Sequence, residues 1–243
     1  MDKLVIANWK AAPATLEDAR ELARNLLKIT IDSVDVVICP PMPFLEEISK
    51  ELKGSEFILG AQDIAPSAER GQTGEETPEM LVGLGVHYVI VGHSERRWKL
   101  GESDEVVIQK LVSALGSGLT PVLCLGEKTR EEGWEEFLRA QTKSAFTSLN
   151  ESEINKCVIA YEPVWAISTN PGARPDNPES AVEAVRIILG EVSGNPKVLY
   201  GGSVNPENAK EFLSNQAFGG VLVGGASLDA DAFSRIISTA KEQ

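Results

Sequence analysis

Eight short runs of apolar, mostly β-branched residues recur along the chain, about 30 residues apart on average. Several runs are apolar at every position rather than at every second one, which is typical of strands buried on both faces. The pattern therefore predicts a parallel sheet covered by helices. The runs are LVIA (4–7), DVVIC (35–39), FILGA (57–61), YVIVG (88–92), PVLCLG (121–126), VIAYEP (158–163), VLYGG (198–202) and VLVGG (221–225).

Helical stretches separate these runs. The clearest spans residues 15–29, where Thr15 is suited to cap the helix, Asp18 lies in the first turn and the apolar residues share one face. Alternating strands and helices indicate an α/β fold, and we predict a single-domain (β/α)8 barrel over residues 1–243. Strand count alone leaves an open doubly wound sheet as the alternative. The other predicted helices span 103–115, 131–149, 178–192, 206–213 and 229–240.

Composition narrows the possible partners. The net charge of −13 argues against non-specific nucleic-acid binding and against an anionic membrane surface. Cys39, Cys124 and Cys157 each lie in an apolar run, which predicts buried thiols in a reducing compartment. No run reaches the roughly 18 apolar residues of a membrane span, and the apolar run at the N-terminus is too short for a signal peptide. We expect a cytoplasmic protein.

The residues that follow the strands of a barrel meet at one end, where active sites form. Glu162 follows an apolar strand, so loss of hydration is expected to raise its pKa and suit it to act as a general base. A salt-bridged strand-end Glu is the alternative. A Pro-bounded loop of about fifteen residues comes next, and long ordered loops often act as lids.

Three further polar residues follow strands 1 and 4. His93 lies where a strand gives way to a helix, and a helix N-terminus favours the neutral imidazole. Lys10 and Asn8 offer a cation and a neutral donor for a developing oxyanion. Ordinary structural roles remain open for all three, and His87, at the opposite end of its strand, is expected to be structural.

Glycine pairs follow the last two strands: Gly201 and Gly202 with Ser203, then Gly224 with Gly225. Glycines let backbone N–H groups approach an oxyanion, and barrels commonly bind phosphate at this place. The sequence contains no metal-ligand spacing, Walker loop, dinucleotide fingerprint or nucleophile elbow, so we expect no metal and no cofactor.

Five segments resemble the motifs of the triosephosphate isomerase family, in order along nearly the whole chain. The segments His-Ser-Glu-Arg-Arg and Tyr-Glu-Pro-Val-Trp-Ala are together highly specific. The matching segments are ANWK (7–10), VGHSERR (91–97), AYEPVWAI (160–167), YGGSV (200–204) and LVGGASL (222–228).

The resemblance implies a TIM barrel that interconverts glyceraldehyde 3-phosphate and dihydroxyacetone phosphate in glycolysis and gluconeogenesis. Glu162 would remove a carbon-bound proton, while neutral His93, Lys10 and Asn8 would stabilise the enediolate. Glu95 would orient Lys10. The phosphate would lie among N–H groups of Ser168, Ser203, Gly224 and Gly225.

The resemblance also implies a homodimer, in which the loop 62–77 inserts into the neighbouring subunit. Gln62, Thr73, Gly74 and Glu75 would lie at this interface, with Thr73 close to the neighbour's active site.

The lid departs from the family pattern. Ser168 replaces a glycine and resists positive φ, the loop is about two residues longer, and Pro171 and Pro175 stiffen it. Two alternatives to the isomerase therefore stay open: a catalytically silent barrel that binds phosphate or a protein partner, and an isomerase of a larger sugar phosphate.

Overall fold

The computed structural model describes residues 2–67, 73–168, 170 and 172–243. Eight parallel strands pair in sequence order, and the first pairs with the last, so the sheet closes into a barrel. This confirms the predicted (β/α)8 barrel and excludes the open doubly wound sheet. The strands are β1 Lys3–Asn8, β2 Val34–Cys39, β3 Ile58–Ala61, β4 Tyr88–Val91, β5 Thr120–Leu125, β6 Val158–Tyr161, β7 Lys197–Tyr200 and β8 Gly220–Val223.

Ten α-helices occur in the described residues and surround the barrel, and none of them is long and apolar enough to cross a membrane. Thr15 caps the first helix as predicted, because its hydroxyl accepts a 3.2 Å hydrogen bond from the Asp18 N–H. The helices are α1 Leu16–Leu26, α2 Leu45–Leu52, α3 Pro78–Gly83, α4 Ser94–Lys99, α5 Asp104–Gly116, α6 Trp134–Phe146, α7 Glu151–Ile154, α8 Pro178–Gly190, α9 Ala209–Leu213 and α10 Ala230–Lys241.

Two helices begin three residues later than predicted. The helix predicted over 131–149 begins only at Trp134, because Gly133 adopts a left-handed φ of 87° immediately before it. The helix predicted from Pro206 begins at Ala209, after a turn. The short helix expected directly after His93 is α4. The helices α2, α3 and α7 were not predicted, since segments of four to eight residues are too short to display a clear helical period.

Two apolar layers explain why the strands are hydrophobic on both faces. Leu4 and Ile6 of β1 belong to the cluster inside the barrel, whereas Val5 and Ala7 belong to the layer between the sheet and the helices. Such alternation leaves no polar position within the strand, and polar side chains can enter only at the strand ends. The three cysteines are buried and unpaired, as predicted.

Gly126, directly after β5, lies against the backbone of Glu162. A Cβ atom built on Gly126 would lie 1.8 Å from the Glu162 carbonyl oxygen, which is far inside van der Waals contact. Only glycine lets the end of β5 approach the end of β6 this closely.

We expect Gly126→Ala to lower the free energy of unfolding by about 1–3 kcal/mol or more, because the new methyl group forces two strand ends apart. Urea unfolding measures this change. Gly116→Ala is the matched control, because Gly116 ends a helix and has open space around its Cβ position. The control should be neutral or stabilising by up to about 1 kcal/mol. Equal stability of the two variants would contradict the close approach.

Candidate active site

A cavity of about 340 Å³ opens at the carboxyl ends of the strands. It brings together residues from the ends of β1, β4, β6, β7 and β8, which are far apart in the sequence. Polar groups and glycines therefore line an end of the barrel whose interior is otherwise apolar. The site residues predicted from the sequence that line it are Asn8, Lys10, His93, Glu162, Ser168, Ser203, Gly224 and Gly225.

Glu162 follows β6 and is 2% exposed. One carboxylate oxygen, Oε1, lies 3.1 Å from His93 Nε2, and the other, Oε2, accepts a 3.1 Å hydrogen bond from the Ser94 N–H. Sequence reasoning did not select Ser94 as a site residue. Its contribution comes from the backbone, and the identity of a side chain carries no signal for a backbone donor.

The contacts of Glu162 show that the predicted direction of its pKa shift, upward, is wrong. Burial raises the pKa of the Glu162 carboxyl, as expected from the sequence, but interaction with His93 and the hydrogen bond from Ser94 outweigh burial. The pKa therefore lies below its ordinary value, and the carboxylate is ionised at neutral pH. A base must be ionised to accept a proton, so the lowered pKa maintains the reactive form.

His93 caps the N-terminus of α4 with its own side chain. Its Nδ1 accepts a 3.2 Å hydrogen bond from the Glu95 N–H. A ring nitrogen that accepts a hydrogen bond carries no proton, so the single proton of the ring is assigned to Nε2, which faces Glu162. The hydrogen bond accepted by Nδ1 is therefore consistent with a neutral imidazole that donates from Nε2.

Lys10 reaches the same cavity from β1. Its backbone has a φ of 55°, and its N–H donates a 3.0 Å hydrogen bond to Asn8 Oδ1, while its carbonyl accepts one of 2.8 Å from the Gln62 side chain. Its Nζ lies 3.1 Å from Glu95 Oε1. Burial raises the pKa of Glu95, but the Lys10 ammonium, with contributions from His93 and Lys99, outweighs burial and holds this pKa below its usual value. Glu95 thus fixes the direction of the Lys10 cation.

The residues predicted to bind phosphate line the same cavity as Glu162. A Cβ built on Gly224 would lie 3.3 Å from Lys10 Cε, so the Lys10 side chain passes directly beside this glycine. Gly225 begins a 3-10 turn over residues 225–228. Ser168 N–H donates 2.7 Å to the Ser203 hydroxyl, which in turn donates 2.9 Å to the Ala166 carbonyl. The Ser168 donor is therefore engaged within the protein in this conformation.

The predicted lid, which is the loop from Pro163 to the start of α8 and is called the lid below, begins with a 3-10 turn over Val164–Ala166. Trp165 Nε1 and the Tyr161 hydroxyl each donate 2.8 Å hydrogen bonds to Glu127 Oε1, so a buried carboxylate after β5 anchors the first end of the lid. Burial raises the pKa of Glu127. Glu127 is not among the site residues predicted from the sequence, because its partners lie 34 and 38 residues away.

The lid tolerates the serine that replaces a glycine. Ser168 is not among the positive-φ residues, and in the described part of the lid the left-handed conformation belongs to Gly172, with a φ of 75°. Strain expected at Ser168 is thus absent. Thr169 and the predicted stiffening residue Pro171 lie outside the described residues.

A second cavity, of about 430 Å³, adjoins the first and shares Asn8, Lys10 and His93 with it. The predicted interface residues Gln62, Gly74 and Glu75 line it, as does Glu95. Thr73, which precedes Gly74 in the sequence, is exposed. Residues 68–72 of the predicted insertion loop lie outside the described part of the chain. Among the described residues, no group of three or more His, Cys, Asp and Glu side chains could hold a metal ion.

Known proteins are similar to this chain along nearly its whole length. A family model described as triosephosphate isomerase matches residues 3–240. A triosephosphate isomerase of Roseiflexus castenholzii is 43% identical, with 96% of each chain covered. One from Aquifex aeolicus is 42% identical over 98% of this chain and 99% of its own. One from Caldanaerobacter subterraneus subsp. tengcongensis is 39% identical over 97% of this chain and 98% of its own.

Proposed function

This chain belongs to the triosephosphate isomerase family, and on that premise we propose that Glu162 and His93 carry out its proton transfers. The reaction interconverts D-glyceraldehyde 3-phosphate and dihydroxyacetone phosphate. Enzymes of this family are a well-known example of a Glu base paired with a neutral His. The observation that supports the assignment most strongly is the 3.1 Å separation of His93 Nε2 and Glu162 Oε1 at one cavity.

The proposed reaction begins when Glu162 removes a proton from the carbon next to the substrate carbonyl. The electron pair left on carbon moves into the carbonyl, and an enediolate forms. His93 donates its Nε2 proton to one enediolate oxygen and recovers a proton from the other, and Glu162 returns its proton to the neighbouring carbon. In this conformation the Nε2–H of His93 faces Glu162. When substrate binds, a substrate oxygen must therefore replace Glu162 as the acceptor of this hydrogen bond. No net proton is gained or lost.

Lys10 and Asn8 are proposed to stabilise the negative charge that develops on oxygen. Lys10 is suited to this role because Glu95 holds its Nζ at 3.1 Å while the side chain runs beside Gly224. The same cation is thus near both the reacting oxygens and the proposed phosphate. In a chain of net charge −13, local cations and backbone donors are needed to bind an anionic substrate.

We assign the phosphate to Ser168, Ser203, Gly224 and Gly225, which share the cavity wall. For Ser168 N–H to reach a phosphate, its 2.7 Å bond to the Ser203 hydroxyl must break. Phosphate binding is thereby linked to movement of the lid. Closure would exclude water and protect the enediolate from losing its phosphate.

Neither alternative function is favoured. A silent barrel has no need for a base, a neutral imidazole and a cation lining one cavity. The match to the triosephosphate isomerase family over residues 3–240 favours a three-carbon substrate over a larger sugar phosphate.

We further propose a cytoplasmic enzyme of glycolysis and gluconeogenesis in which residues 1–243 act as one domain and two copies form a homodimer. The adjoining cavity of about 430 Å³ supports the dimer, because it is open to a neighbour and reaches Asn8, Lys10 and His93. A loop carrying Thr73 that enters this cavity would cover the active site from its exposed side.

We expect Glu162→Gln to lower kcat by about 100- to 10,000-fold, because the amide cannot accept the carbon-bound proton. A coupled isomerisation assay measures the rate, and calorimetry with inorganic phosphate measures binding, which should stay close to that of the unmodified chain. Glu136→Gln is the matched control, since Glu136 is exposed on α6. Near-normal turnover by Glu162→Gln would refute the base assignment.

The dimer predicts a solution mass of twice the 26.2 kDa chain in sedimentation experiments. Thr73→Asp should raise the dissociation constant at least about 10-fold, because the new carboxylate would enter a cavity in which carboxylates outnumber the cations Lys10 and Arg96. The carboxylates are those of Asp63, Glu75, Glu76 and Glu95. Thr147→Asp, at another exposed threonine next to the end of α6, is the control and should have no effect. A monomeric chain, or equal effects of both substitutions, would contradict the proposed interface.

A further inference from the structure

Arg130 occupies an unusual position between the barrel and the two ends of the lid. It follows β5, and its side chain is 16% exposed, with the guanidinium 3.7 Å above the ring of Trp134. Stacking on an aromatic face and burial of this extent hold a guanidinium in one orientation. The proton transfers proposed above make no use of Arg130.

One edge of the guanidinium faces the first end of the lid. Arg130 Nε lies 2.9 Å from Glu127 Oε1, the oxygen that also accepts hydrogen bonds from Trp165 and Tyr161. Arg130 Nη2 lies 3.2 Å from the Tyr161 hydroxyl, and the guanidinium carbon is 5.8 Å from the Trp165 ring. A buried carboxylate needs a cation to remain ionised, so Arg130 maintains the acceptor to which Trp165 is bound.

The two Nη atoms also reach the last end of the lid, at the start of α8. Arg130 Nη2 donates to the carbonyl of Ser180 at 2.8 Å and to its hydroxyl at 3.1 Å, and Nη1 lies 3.3 Å from Glu183 Oε2. Ser180 lies in the first turn of α8, and its own N–H is bound by the capping residue Asn177. One side chain therefore contacts both structural elements between which the lid is suspended.

We propose that Arg130 is a positioning residue that holds the two ends of the lid in register, so that closure brings the lid to one defined place over the substrate. The planar fork of the guanidinium is needed, because a lysine ammonium is a single point charge and cannot reach Glu127 and Ser180 together. The inference rests on the proposed function, since it gives Arg130 a role in the lid movement assigned there.

A defective lid has a specific chemical consequence. In an enediolate left open to water, the electron pair can instead expel the phosphate, with cleavage of the carbon–oxygen bond and release of inorganic phosphate. The amount of phosphate released per isomerisation therefore reports on closure. A loss of folded protein lowers both products together and leaves this ratio unchanged.

The test compares the unmodified chain with Arg130→Lys and Arg130→Met, measuring kcat, KM, phosphate released per isomerisation and thermal unfolding. We expect Arg130→Lys to lower kcat by about 10- to 100-fold and to raise the phosphate ratio several-fold, with little change in melting temperature. Arg130→Met should have the larger effect. If Arg130→Met fails to fold, Arg130→Lys decides the question.

Arg139→Lys is the matched control. Arg139 lies on α6 and pairs with Glu191 at 3.1 Å, at the far end of α8 from the lid. The Arg139→Lys substitution should leave the amount of phosphate released per isomerisation unchanged. An unchanged ratio in Arg130→Lys, whether kcat falls or not, would overturn the positioning role. Failure of the unmodified chain to isomerise triose phosphates would instead refute the proposed function.

Discussion

A hydrogen bond from the Glu95 N–H to His93 Nδ1 governs the chemistry of the whole site. Because that nitrogen accepts, the ring proton is assigned to Nε2, where it faces Glu162 at 3.1 Å. The contact between His93 and Glu162 helps to keep the Glu162 carboxyl ionised despite burial. In the proposed mechanism, the same Nε2–H donates to the substrate oxygens. The proposed acid and the proposed base thus depend on a single backbone donor at the start of α4.

The closed sheet makes this pairing possible. Strand interiors are apolar on both faces, so chemistry is confined to the strand ends, where β1, β4 and β6 deliver Lys10, His93 and Glu162 to one cavity. Gly126 allows the ends of β5 and β6 to approach closely, and Glu127 then anchors Trp165. The lid is accordingly attached to the same strand ends that hold the reactive groups.

The sequence predicts the strands, their parallel order and most of the polar residues that line the cavity, because apolar runs and strand-end polar residues are local patterns. The contribution of Ser94 could not, since it is made by a backbone N–H. The predicted direction of the Glu162 pKa shift is wrong, because the pKa depends on a balance between burial and two contacts with residues 68 and 69 positions away. The contacts of Arg130 with both lid ends likewise arise only on folding.

The central claim is that His93 is neutral with its proton on Nε2. Nitrogen-15 NMR of the labelled chain at neutral pH tests it directly, with the exposed His87, the other of the two histidines, as an internal reference. The account predicts a protonated Nε2 and a bare, hydrogen-bonded Nδ1 for His93. Protons on both nitrogens, or a proton on Nδ1 alone, would contradict it.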